Sequence, residues 1–228
     1  MPSSVWGLAR GHGPSGNWQT VWSSGSKLRN CIMDFMPPAD VRPKSGQFLL
    51  SEPFLNDPWF GRKVVFLCDH DEKGSLGFVL NNGMGRNLNS LLSDAEQWSI
   101  DHEVHRGGPI HEDSLFFLHR LGEIVKGSTP VLPGLWLGGE YEDLVLALKN
   151  GGARQGDVRF FAGYSGWGAG QLDGEMSQRS WYVHDVALPE KLETVMNPMP
   201  ENLWVSMLMS KGGGYERVTS WPTDPSLN

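Results

Sequence analysis

Cysteine is nearly absent: the 228 residues hold two, Cys31 and Cys68, with no CxxC or CxxxxH spacing around them. That excludes a disulfide scaffold and a zinc site of ordinary spacing, and it fits a reducing compartment. Long apolar runs are missing as well. The stretches 64–68 and 115–118 are among the longest, far short of the ~20 residues needed to cross a bilayer, and nothing has the h-region of a signal peptide. A soluble, cytoplasmic protein with no membrane partner is expected. Positive charge is in short supply, with 19 Lys+Arg against 26 Asp+Glu, a formal net charge of -7 and a sequence pI of about 5.5. This excludes an indiscriminate nucleic-acid binder. Glycine and proline, at 29 and 15 residues, predict many turns, yet together they stay below the roughly 25% that marks low-complexity chains. The length suits one domain or at most two.

Charge divides the chain. Residues 1–45 carry Arg10, Lys27, Arg29, Arg42 and Lys44 against Asp34 and Asp40, whereas the remainder is strongly acidic. The first 30 residues are rich in Gly and Ser, hold no acidic residue and show no helical or alternating apolar period. Residues 1–45 therefore read as a disordered or extraneous leader. A basic, acid-free leader resembles an organellar transit peptide; an upstream start, with Met33 as the true one, is the simpler account. Residues 46–228 are expected to form a single domain.

Within that domain, 47–51, 63–69 and 75–81 read as strands, the last two forming a hairpin over Asp71-Glu72-Lys73-Gly74. Further strands are predicted at 114–118, 131–137, 157–164 and 181–186, the second of them an edge strand interrupted by Pro133. Helices are predicted at 87–92, 142–149, 170–178 and 203–209, with glycines ending two of them. Strands outnumber helices and are often joined by short turns, which favours an α+β fold over a regular βαβ array.

Few chemical motifs survive inspection. Gly163-Tyr164-Ser165-Gly166-Trp167 approaches the G-x-S-x-G nucleophile elbow but fails at Trp167, and the strand-helix alternation that motif needs is missing. Gly166, Gly168 and Gly170 stand between an apolar strand and a helix starting near Gln171, so free backbone N–H groups there would suit an anion. Neither G-x-G-x-x-G nor a P-loop is present, Asp173 and Glu175 would repel phosphate, and a tight turn that lets Trp167 pack is the simpler reading. His102 and His105 would align only on a helix, and no HExxH follows. His70 and His119 each end an apolar strand and would be candidates for ligand binding if the fold brought them to one sheet edge. No catalytic residue, metal ligand or cofactor is assigned. The ligand-binding candidates are Gly166, Trp167, Gly168, Gly170, Gln171, His70 and His119.

Taken in order, GQFLLSEPFLNDPWFGRKVVFLCDH (46–70), GSLGFVLN (74–81), RGGPI (106–110), LFFLHRL (115–121) and GYSGWGAGQLDGEM (163–176) resemble the bacterial YqgE/AlgH family. The last segment, with Glu175 and the following Trp181, is the most specific. Asn82-Gly83 departs from the basic residue and proline of many members, and the first 45 residues have no counterpart. The resemblance implies an α+β domain with a mixed, largely antiparallel sheet forming a partly closed barrel with flanking helices, and no agreed activity. Some members are labelled transcriptional regulators, which does not require that they touch DNA. The matching residues, among them Asp57, Asn81, Gly107, Gly108, Gly163 and Glu175, are structural signatures under this reading. A non-enzymatic regulatory or accessory protein acting through a protein or small-ligand partner is the leading expectation. A nucleotide or anion sensor, or an enzyme, using the Gly166 to Gln171 loop is the second, and a regulator binding DNA directly is the third.

Overall fold

The computed structural model describes residues 35–92, 102–197 and 202–222. The first 34 residues of the expected leader lie outside them. The rest of that segment is in place against the domain: the Phe35 carbonyl accepts the Tyr182 hydroxyl at 2.7 Å, and the Pro37 carbonyl accepts Arg179 Nη1 at 3.0 Å.

Strands β1 (Phe48–Ser51), β2 (Val64–Asp71) and β3 (Gly74–Val79) are followed by two short ones, β4 (Gly83–Asn87) and β5 (Glu103–Arg106). Then come β6 (Ile110–His119), β7 (Thr129–Leu132), β8 (Leu135–Leu137) and helix α1 (Tyr141–Lys149). The chain continues through β9 (Val158–Gly168), α2 (Gln171–Ser177), β10 (Trp181–His184), α3 (Leu188–Met196) and α4 (Leu203–Lys211). The ten strands form one sheet with a main path β10-β1-β2-β3-β9-β6-β8-β7, and β5 attaches β4 to β9. Every pairing is antiparallel except β5 with β9. This is the α+β class and the mixed, largely antiparallel sheet expected from the sequence; the hydrogen-bonded path itself does not close, since β10 and β7 are its ends.

All four residues of β1 are buried, because helices cover both faces of the sheet around it. On one face Phe48, Leu50, Phe66 and Phe78 pack with Val195 and Met196 of α3 and with Leu203, Trp204, Met207 and Leu208 of α4. On the other, Leu49, Val65, Leu67 and Val79 meet Leu172 and Met176 of α2 together with Trp167 and Trp181. Alternating side chains thus serve two cores at once, the pattern a doubly covered strand requires. A third cluster, built on Leu88, Val104, Phe117 and Phe160, is covered by Leu144, Ala147 and Leu148 of α1.

Several elements differ from the sequence reading. The strand expected at 131–137 is a hairpin, β7 and β8, turning at Pro133-Gly134 with β7 on the edge. The helix expected at 87–92 is a 3-10 turn, Leu88–Ser90. Residues 103–106, considered as helical for the sake of His102 and His105, form a strand, so a spacing of three does not align side chains there.

Strand β9 is the spine of the sheet. Its first half pairs with β6 and β5, and its last four residues pair with β3. Gly163, at φ +69, lies just before the change of partner, since Tyr164 still pairs with Ile110 of β6 and Ser165 is the first to pair with β3. The RGGPI segment lies directly against this point: a Cβ on Gly107 would stand 2.3 Å from the Gly163 carbonyl oxygen, and one on Gly108, at φ +156, 2.3 Å from the Tyr164 carbonyl carbon. Two glycine motifs far apart in sequence are therefore one backbone-on-backbone contact.

Candidate functional site

The hairpin register carries His70 to the glycine-rich segment. His70 pairs with Ser75, and Ser75 with Trp167; one step further, Asp71 pairs with Gly74, and Gly74 with Gly168. Three strands thus place His70, Ser75 and Gly168 beside the start of α2. They line a cavity of about 240 Å³ together with Asp71, Glu72, Gly74, Gly170, Leu172 and Asp173. His70 Nδ1 and Ser75 Oγ are 2.7 Å apart. The turn beneath is held by Asp71 Oδ1, which accepts the amides of Lys73 at 2.7 Å and Gly74 at 3.2 Å. Gly74 must be glycine here: it sits at φ +152, and a Cβ would lie 2.5 Å from the Trp167 carbonyl oxygen.

The sequence treats Gly166 to Gln171 as a loop. The structure corrects this: Gly166, Trp167 and Gly168 belong to β9, and Gln171 opens α2 after Gly170 at φ +69. The reason is tertiary, since pairing with β3 holds a segment extended whose glycines favour a turn. The Gly168 amide is not free either. Gly168 N–H donates to Gln171 Oε1 at 3.1 Å, while Gln171 Nε2 donates to Glu175 Oε1 at 3.1 Å. The second carboxylate oxygen of Glu175 accepts both indole N–H groups, Trp167 at 3.0 Å and Trp181 at 2.8 Å. Each hydrogen bond to a charged group contributes about 1.5–3 kcal/mol. Five residues of the most specific motif therefore satisfy one another and fix α2 on the sheet.

His119 does not join this site. It pairs with Val158 at the opposite end of β9 from Trp167, roughly 30 Å away at about 3.3 Å of rise per residue. It is fully buried, with Leu121 N–H donating to Nδ1 at 3.1 Å and Nε2 donating to the Gly138 carbonyl at 2.8 Å. Burial holds its pKa below the ordinary histidine value, against the pull of the Gly138 carbonyl. Backbone groups on both nitrogens make it a structural residue in the neutral form. Ser165 is likewise fully buried within β9, its hydroxyl donating to the Gly107 carbonyl at 3.0 Å. No strained strand-to-helix turn presents it to a substrate.

The same is true of other matched positions. Asp57 Oδ1 accepts the amides of Trp59 and Phe60, at 2.8 and 3.0 Å. Asn81 bridges two backbone groups, accepting from Val64 N–H at 2.8 Å and donating to the Arg62 carbonyl at 3.0 Å. A model of the AlgH-like family matches residues 48–216, the span over which these contacts run.

The chain belongs to the AlgH-like family. A UPF0301 protein of Cytophaga hutchinsonii is 39% identical over 184 residues, covering 80% of this chain and 98% of its own length. One from Chlorobaculum tepidum is 38% identical over 185 residues, covering 81% and 96%. Among solved structures, the solution structure of the AlgH protein from Pseudomonas aeruginosa aligns with a TM-score of 0.60 at 25% identity, covering 80% of this chain and 97% of that one. A crystal structure of a Corynebacterium diphtheriae protein aligns at 0.62 with 18% identity, covering 79% and 94%, which shows the shared fold alone. These AlgH-like relatives carry no established activity.

Asp71, Glu72, Ser75 and Asp173 were not selected from the sequence as site residues, although the first two sit in the predicted hairpin turn next to His70. What the cavity offers is one imidazole, one hydroxyl and a rim bearing three carboxylates. Such a rim suits a cation or hydrogen-bond donor and repels phosphate. Among the described residues, no three His, Cys, Asp or Glu side chains converge as a metal site requires, and no helix is long and apolar enough to cross a membrane.

Proposed function

We propose that this AlgH-like protein is a non-enzymatic, cytoplasmic accessory or regulatory protein that acts by binding a protein or small-ligand partner. One observation carries the reading: six polar side chains of the family segments are consumed by the scaffold. Glu175, Gln171, Asn81, Asp57, His119 and Ser165 all bond to backbone or to one another. What these contacts build is a rigid frame, and it leaves His70, Asp71, Glu72 and Asp173 lining a cavity. The cavity there, at about 240 Å³, is smaller than the roughly 300–1,000 Å³ of most small-molecule sites. It fits a single side chain or a small cationic group, with Asp71, Glu72 and Asp173 as the recognising charges.

Direct DNA binding finds little support. The adjacent basic pair Arg62-Lys63 is engaged internally, with Arg62 donating to the Trp221 carbonyl and stacking over Trp204, and Lys63 Nζ donating to the Asn81 carbonyl at 3.1 Å. The test is a thermal-shift screen of the full chain against nucleotides, phosphorylated metabolites, polyamines and divalent metals, repeated on Asp173→Asn. A binding-only protein gives native-state stabilisation by partners of one chemical class, weakened in the variant. A robust turnover lost on changing Ser165 or His70 alone would overturn the proposal.

A further inference from the structure

Arg159, the second residue of β9, is 4% exposed and lies far from the His70 cavity along the strand. Two of its donors have clear structural work. Nη1 donates to the Val195 carbonyl at 2.7 Å, in the last turn of α3, and Nη2 donates to the Leu80 carbonyl at 2.6 Å, just after β3. A cation at a helix C-terminus is favourable, so these contacts explain why a basic residue stands here. They do not neutralise it. Among the described residues no carboxylate lies within 4 Å of the guanidinium. Nε is buried with no hydrogen-bond partner.

His105 shares the cavity. The parallel register pairs it with Phe161, which places it on the same face as Arg159, and its ring lies 6.0 Å from that of Phe161 while Arg159 stacks over the same ring at 5.4 Å. It is 1% exposed, and neither ring nitrogen makes a hydrogen bond of proper geometry, although the Phe160 and Glu103 backbones lie close by. Burial and the neighbouring Arg159 charge keep the imidazole neutral, with its pKa pushed down to about 3; burial also lowers Arg159, to about 10 against the opposing pull of the Glu103 charge, and it remains charged at neutral pH. His102, Glu103, Gln155 and Met196 complete the lining of a cavity of about 50 Å³. Gln155 and Met196 also line an adjoining open cavity of about 360 Å³ whose wall carries Arg120, Asp157 and Glu193, with Arg120 3.9 Å from the Glu193 carboxylate.

We propose that the small cavity between β5, β9 and α3 is a binding site for an oxyanion headgroup, a phosphate or a carboxylate, held by Arg159 Nε and by His105. A buried guanidinium with no carboxylate in contact is costly: Glu103, on the cavity wall, acts on Arg159 through space but lies beyond ion-pair distance, and water can satisfy Nε without adding charge. An anion does both. The volume admits a headgroup and not a whole metabolite, so a larger ligand extends into the adjoining cavity past Gln155. This site is independent of the His70 cavity, and its anion preference is opposite to that of the acidic rim there.

The test follows the imidazole signals of His105 in 1H–15N spectra of the full chain at constant ionic strength, titrated separately with inorganic phosphate, acetate and ribose 5-phosphate. Saturable shifts of His105 are expected with at least one of them. Phosphate alone identifies a free inorganic anion, acetate a carboxylate, and a sugar phosphate binding tighter than phosphate shows use of the adjoining cavity. His105→Phe, which keeps a ring and removes both nitrogens, should weaken the same ligand about tenfold, and Arg159→Lys should weaken it at least as much if it folds. Shifts that stay flat or rise linearly with all three probes, or an affinity unchanged in His105→Phe, would overturn the site.

Discussion

Replacing Glu52 with glutamine should make this protein more stable in alkaline than in acidic buffer relative to the parent. Glu52 follows β1, where Trp204 Nε1 bonds the preceding Ser51 carbonyl at 2.9 Å. One carboxyl oxygen accepts the Phe54 amide at 3.1 Å, and the other is buried without a partner. Burial raises its pKa to about 7 from 4.5, only partly offset by the Phe54 hydrogen bond. In the unfolded chain the carboxyl ionises near 4.5, in the native state near 7, so the unfolded state releases its proton first. Stability tied to Glu52 is therefore complete below pH 4.5 and is lost as the pH rises to about 7. Integrating that linkage between pH 5 and 8 yields about 2 kcal/mol, after allowing for the part of the side chain that water reaches. Glutamine keeps an acceptor for the Phe54 amide and does not titrate, so the difference between variant and parent should grow by about 4–8 °C in Tm over that range. Differential scanning fluorimetry of both proteins at pH 5 and pH 8 checks it. A Tm difference that is the same at both values, or larger at pH 5, refutes the assignment of a raised pKa to Glu52, whatever the absolute effect of the substitution.

Glu175→Ala should cost about 3–5 kcal/mol, because two buried indole N–H groups and Gln171 lose one shared acceptor; denaturant unfolding followed by tryptophan fluorescence measures it, and a loss under 1 kcal/mol would sink the network reading. Acid should unfold the protein partly through its buried histidines: burial depresses His105, His119 and His184, so their contribution is complete above pH 6.5 and is lost as the pH falls. For His105, whose native pKa is about 3, that loss amounts to roughly 3 kcal/mol between pH 7 and pH 4, and His105→Phe should flatten this limb of the stability profile. Gly108→Ala should fail to yield folded protein by circular dichroism, since its Cβ would stand 2.3 Å from Tyr164 at φ +156; a well-folded variant would mean that the RGGPI segment does not meet β9 so closely.

How far the sequence could be read depended on whether a signal was local. The β2–β3 hairpin is an apolar run, a four-residue turn and a second apolar run, and α1 ends in Asn150-Gly151-Gly152; both were legible because their causes lie within a dozen residues. Helix α3 is not among the predicted elements, although its signals are in the sequence, with Pro189 in the first turn and Leu192, Val195 and Met196 at helical spacing. Strands β4 and β5 offered no such pattern, since GMGRN is mostly exposed and EVHR is short; they are strands because each pairs with a neighbour. His70 lies beside the glycines of β9, and the link between them is a register across three strands that no sequence interval encodes.

The sequence by itself determined the α+β class, the acidic charge and the AlgH-like membership, all of which rest on composition or on short ordered segments. Tertiary structure alone decided that the glycine-rich segment is strand, that His119 is a backbone-bound core residue at the opposite end of β9 from Trp167, and that Arg159 lies buried beside His105. Those outcomes follow from pairing and burial between residues distant in the chain, where a side chain's role is set by the neighbours that exclude water from it.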